Sequence, residues 1–178
     1  MKVTLITGSA HKNGTSALLA EKFIEGALDA GHEVFRFDAA FETVHPCLAC
    51  EHCASHNTEC VYKDSMEKLN EKLIDADVIA FASPLYYYTV SAQLKAVMDR
   101  FHAKNAIISG NKKAVMLASA YGSDDQTFEA MNKMFESSLQ FLNWENAGTV
   151  YATGSPVREM LEATDFPNQA YILGKNLK

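Results

Sequence analysis

The sequence predicts an α/β domain: a doubly wound, five-stranded parallel sheet with helices on both faces. Three observations lead there. Short apolar runs recur at residues 3–7, 33–37, 78–82, 114–118 and 149–153, with the length of strands buried on both sides. Stretches with apolar residues at helical spacing alternate with them, and parallel neighbours need such crossovers. The length of 178 residues, with 48% hydrophobic and 21% charged, suits one domain with a full core.

The elements follow in order. The first strand ends at Gly8-Ser9, and Thr15-Ser16 are placed to cap a helix with Leu19, Phe23 and Ala27, flanked by Ala20, Ile24 and Leu28, on its apolar stripe. Gly31 stops that helix. After the second strand and a cysteine-rich segment, Asp64-Ser65-Met66-Glu67 resembles a capping box opening a helix through Leu69 and Leu73. Ser83-Pro84 ends the third strand, and a helix from about Ser91 carries Leu94, Val97, Met98 and Phe101 on one face. Lys95 and Asp99 on it read as a surface i, i+4 pair. Beyond the fourth strand, Asp124-Asp125 begin a helix with Phe128, Met131, Phe135 and Leu142 inward, and Pro167 opens a last helix through Ala170, Leu173 and Leu177. The count and alternation fit the flavodoxin-like sheet. Ligands of such sheets bind beyond the carboxyl ends of the strands, here the loops after the first, third and fourth.

The net charge of −6 and the lack of any Lys/Arg cluster beyond Lys112-Lys113 argue against nucleic acid or an anionic membrane as partner. No apolar stretch approaches the roughly 20 residues of a membrane span. A cytoplasmic chain, one domain over residues 1–178, with neither leader nor linker, is the expectation.

The first loop, Gly8 to Ser16, sets the hydroxyls of Ser9, Thr15 and Ser16 and free backbone N–H groups at a helix N-terminus, a phosphate site that needs no strong net charge. His11 and Lys12 add charge there. The order of glycines, lysine and hydroxyls matches neither a Walker loop nor a dinucleotide fingerprint. Pro84-Leu85-Tyr86-Tyr87-Tyr88 after the third strand can frame a flat heterocycle or serve a subunit interface. Ala120-Tyr121-Gly122 adds a turn with accessible backbone.

All four cysteines, Cys47, Cys50, Cys53 and Cys60, fall in one loop of about residues 45–63, with gaps of two, two and six. The spacing suits a cubane iron–sulfur cluster or a tetrahedral zinc, the latter with His45, His52 or His56 as substitute ligands. Redox thiol chemistry is a further reading of the same loop, and disulfides fit a cytosolic chain less well.

GSAHKNGTS, PCLACEHC, the stretch ADVIAFASPLYYYTVSAQLKAVMDR and the closing LGK together resemble the flavodoxin-like NADPH-dependent FMN reductase family, and the cysteine spacing resembles its iron–sulfur flavoproteins. The resemblance implies FMN, with its phosphate at Ser9, His11, Asn13, Thr15 and Ser16 and its ring against Pro84, Leu85, Tyr86, Tyr87 and Ala120-Tyr121-Gly122. It also implies NAD(P)H as electron donor, a 4Fe-4S cluster on the four cysteines that relays electrons to FMN, and a homodimer or homotetramer. A nonenzymatic electron carrier, served by a donor such as ferredoxin, is the alternative, and a zinc-stabilised binding module a further one. Ala10-His11 stands where the family commonly has Pro-Arg, and Thr15-Ser16 where it commonly has Asn-Thr.

Overall fold

A computed structural model describes all of residues 1–178. Five strands, β1 (Lys2–Thr7), β2 (Glu33–Asp38), β3 (Val78–Pro84), β4 (Lys113–Ser119) and β5 (Glu145–Ala152), form one sheet in the order β2-β1-β3-β4-β5. Every pair is parallel. The helices are α1 (Thr15–Asp29), α2 (His52–Ser55), α3 (Met66–Asp75), α4 (Ala92–Arg100), α5 (Asn105–Ile108), α6 (Glu129–Leu142), α7 (Arg158–Glu162) and α8 (Phe166–Lys175), with 3-10 turns at Ala39–Phe41 and Phe101–Lys104. None is long and apolar enough to cross a membrane.

The order explains the layering. From β1 the chain steps one way to β2, then reverses over β1 to β3 and continues to β4 and β5. Because crossovers are right-handed, the reversal puts α1 on one face and α3, α4 and α6 on the other. The strands serve both faces by strict alternation. Val3, Leu5, Val78, Ala80, Ala82, Val115 and Leu117 pack with Leu19 and Phe23 of α1 and Ala170 of α8. Ile6, Ile79, Phe81 and Met116 pack with Leu69, Leu94, Phe135 and Trp144. Small alanines on the first face let α1 lie close to the sheet, and α8 lies closer still to α1. A Cβ on Gly26 would fall inside contact distance of the Tyr171 carbonyl, and one on Gly174 inside that of the Phe23 carbonyl.

Several boundaries differ from the sequence reading, each for a local reason. Gly14, not Thr15 or Ser16, is the N-cap of α1, and no side chain caps it. The Thr15 hydroxyl is instead paired with the Ser119 hydroxyl at 2.8 Å. Leu28 lies beyond the edge of the stripe and is exposed. Asp64 accepts from the Met66 N–H at 3.0 Å, but Glu67 does not complete a capping box and lies 3.6 Å from Lys63. Pro84 does not end β3 early, since the ladder runs on to Pro84 opposite Ser119. The helix α6 starts at Glu129 because Asp124 first closes a turn on Gln126 and Thr127. β5 begins four residues early, across a bulge where Ala147 is extra and Gly148 adopts φ +140°. The short helix α7 has no counterpart in the sequence reading. Gly31, with φ +77°, ends the first helix as expected, and Lys95 and Asp99 form their surface pair at 2.5 Å.

Candidate flavin cavity and cysteine loop

The reversal of strand order splays the loops after β1 and β3 apart, and a cavity of about 720 Å³ opens above them. Ser9, His11, Asn13, Thr15 and Ser16 border it, as do Pro84, Leu85, Tyr86, Ala120 and Tyr121. The structure therefore brings ten of the twelve cofactor candidates onto one wall. Tyr87 and Gly122 stand off it. Tyr86 and Thr89 exchange backbone hydrogen bonds across a two-residue turn in which Tyr87 and Tyr88 both have positive φ, so Tyr87 projects from the tip, 99% exposed. Gly122 is turned inward, close to Thr127.

At one end of the cavity the backbone is left without partners. The first helical N–H to find an acceptor is that of Leu18, on the Gly14 carbonyl; those of Thr15, Ser16 and Ala17 donate to no protein group. Such N–H groups carry the positive end of the helix dipole toward an anion. Ser9 holds the loop shape, its hydroxyl accepting from the His11 N–H at 3.0 Å. Gly8 is required for close approach, because a Cβ there would collide with Ser91 and Leu94, and the Ser91 hydroxyl donates to the Gly8 carbonyl at 2.7 Å. Arg158 borders the cavity but is committed to Glu21 at 2.7 Å and Glu162 at 2.9 Å. His11 and Lys12 are the remaining cationic candidates, and Lys12 sits 4.8 Å over the Phe41 ring.

The rest of the lining, with Pro84, Leu85, Tyr86, Ala120 and Tyr121 beside Ser119, is laced by backbone bonds. Leu85 N–H donates to Ser119 O, Ala120 N–H to Ala152 O, and Ser155 N–H to Ala120 O. Residues 155–159 complete this wall, a segment that sequence reasoning missed. The signal was present: β5 neighbours β4, so its following turn, Gly154-Ser155-Pro156, lies at the same edge.

The cysteine loop forms a second site. All four thiols are free and border one small apolar cavity with Leu48, Val61, Tyr62 and Arg100. No three His, Cys, Asp or Glu side chains are drawn together around one point. The four thiols are instead spread around their common cavity. The Ala49 N–H donates to Cys47 Sγ at 3.4 Å, and Ala49, Glu51, Asn57 and Thr58 all hold positive φ, local strain that the rest of the fold must sustain.

The loop is tied down at its base by one buried guanidinium. Arg100, at the end of α4, donates through Nη1 to the His45 carbonyl and to Asp64 Oδ2, both at 2.8 Å. The two side chains are 3% and 1% exposed. Beyond it, Lys104 donates to Thr58 and His102 faces Glu51 at 3.6 Å. Burial pushes the Asp64 carboxyl up, but hydrogen bonds from Arg100, His45 and Met66 outweigh burial and hold it at about 2. Its folded value lies below an unfolded value near 4, so the stabilisation is fully present above about pH 4 and is lost as pH falls through about 2. The stability gap between wild type and Asp64→Asn should therefore shrink by roughly 2 kcal/mol between pH 5 and pH 2 in urea denaturation, and a pH-independent gap would contradict the pairing.

Known proteins resemble this chain in sequence and in fold. A sequence model of the NADPH-dependent FMN reductase family matches residues 1–154. An iron–sulfur flavoprotein of Methanocaldococcus jannaschii is 29% identical over 164 residues, 88% of this chain and 83% of its own length. One from Methanosarcina thermophila is 31% identical over 168 residues, 89% of this chain and 85% of its own. Among solved structures, an NAD(P)H:quinone oxidoreductase from Methanothermobacter marburgensis shares the fold with a TM-score of 0.76, at 22% identity over 99% of this chain and 95% of its own.

Proposed function

Because this chain belongs to the NADPH-dependent FMN reductase family, beside the iron–sulfur flavoproteins, we propose that it is an NAD(P)H-dependent FMN oxidoreductase whose cysteine loop holds a 4Fe-4S cluster. The observation that carries the flavin reading is the pairing, within one cavity, of the unpartnered helix N–H groups of Thr15 and Ser16 with the rings and apolar side chains of Pro84, Leu85, Tyr86, Ala120 and Tyr121. The N–H groups of Thr15 and Ser16 would hold the FMN phosphate, with the hydroxyls of Ser9, Thr15 and Ser16 and the side chains of Asn13 and His11 in the same lining. Pro84, Leu85, Tyr86, Ala120 and Tyr121 orient the ring and keep water from its inner face. FMN when bound supplies hydride acceptance and single-electron exchange. No acid or base of the chain is required, and the residues supply anchoring, orientation and exclusion of solvent.

Cys47, Cys50, Cys53 and Cys60 would ligate the cluster, which supplies one-electron exchange. Cys47 and Cys50 are exposed, which suits electron entry from a carrier such as ferredoxin. The exposed rings of Tyr86, Tyr87, Tyr88 and Tyr121 around the flavin cavity suit coverage by a second copy of the chain, in a homodimer or a homotetramer.

Anaerobic purification with flavin, iron and sulfide analysis tests the reading. The expected result is one FMN and four irons per chain, with the flavin bleached by NADPH or NADH at a saturable rate. A colourless protein would overturn the flavin assignment. Flavin that ignores nicotinamides but is reduced by a low-potential iron–sulfur donor would make the protein an electron carrier instead.

A further inference from the structure

Arg100 carries more than a structural tie. Its Nη1 atom serves Asp64 and the His45 carbonyl, and Nη2 reaches Asp64 Oδ1 at 3.3 Å. The Nε–H, on a side chain only 3% exposed, has no partner. An unpartnered buried donor on a charged group is costly. Arg100 also lines the cavity bordered by the four cysteines, whereas its counter-ion Asp64 does not. The Tyr62 ring, 5.3 Å from the guanidinium carbon, walls the same cavity and holds the group in place.

We propose that Arg100 donates its Nε–H to a sulfur of the cluster and sets the cluster's reduction potential, with Asp64 as the opposing charge. The proposal rests on the cluster reading above. Reduction adds negative charge, so a nearby cation and an N–H donor to sulfur favour it. Asp64, which does not border the cysteine cavity, offsets part of that effect. The two residues therefore push the potential in opposite directions, which loosening of the loop would not do.

The test is an EPR-monitored redox titration of anaerobically purified, cluster-loaded protein. Asp64→Asn should make reduction about tenfold more favourable, a rise of about 59 mV for one electron. The double variant Arg100→Gln/Asp64→Asn, which removes the cation without stranding a buried carboxylate, should make it about tenfold less favourable than in wild type. Shifts of the same sign in both variants, or changes under twofold, would overturn the assignment. A measurement on the unmutated chain covers variants that fail to fold: wild type grown on Nε-15N arginine should show a 15N coupling to the reduced cluster in pulsed EPR, and its absence would also overturn the assignment. Wild type without iron or sulfide would defeat the cluster reading itself, whereas a loaded wild type with unmoved potentials defeats only the role of Arg100.

Discussion

Thr15→Asp should empty the flavin site while leaving the protein folded. Position 15 is the first residue of α1, and its N–H, with those of Ser16 and Ala17, has no partner in the chain. A carboxylate there interacts favourably with the helix dipole, so stability to urea should hold or rise by about 0.3–1 kcal/mol. The same carboxylate occupies the anion cradle and repels phosphate, and loss of charge-assisted hydrogen bonds compounds the repulsion. FMN affinity should fall at least about 100-fold, equivalent to roughly 3 kcal/mol. Flavin titration beside a denaturation curve reads both effects. Were the loop only a well-formed helix start, stability would change and flavin affinity would not.

Gly174→Ala should destabilise the fold by about 2–3 kcal/mol, against the sign that helix propensity gives. In an exposed helix interior, alanine is favoured over glycine by about 1 kcal/mol. Here the added methyl falls inside contact distance of the Phe23 carbonyl and 3.0 Å from the Ala27 nitrogen. Both obstacles are backbone of α1, which cannot rotate away, so overpacking outweighs propensity. Urea denaturation of the two proteins decides the sign, and a stabilised variant would show that α8 moves freely on α1.

The strands and the loop that opens α1 were legible because their signals are local. Residues 3–7 and 78–82 are apolar runs cut off by Gly8 and Ser83-Pro84, and hydroxyls around Gly14 mark a helix start. The cysteines were equally plain from spacing. What remained hidden depends on partners distant in the chain. Asp64 reads as a cap, and nothing in its vicinity reveals that Arg100, 36 residues on, takes its carboxylate. Thr15 reads as a cap until Ser119, 104 residues away, claims its hydroxyl. Positive φ at Ala49, Glu51, Tyr87 and Tyr88 defies local preference, which reserves that conformation for glycine and asparagine.

The backbone-to-backbone seat of α8 on α1 also bears on the order of events during synthesis. The family match ends at residue 154, yet α1, whose start carries the proposed anion cradle, keeps its α8-facing side uncovered until Phe166–Lys175, later in the chain, has emerged. The packing of Leu19 and Phe23 of α1 on β1, β3 and β4 can precede this, but the side of α1 that α8 covers stays open to water until then. A fragment ending before α8 is therefore expected to hold FMN more weakly than the chain that includes α8, which flavin titration of the two would read.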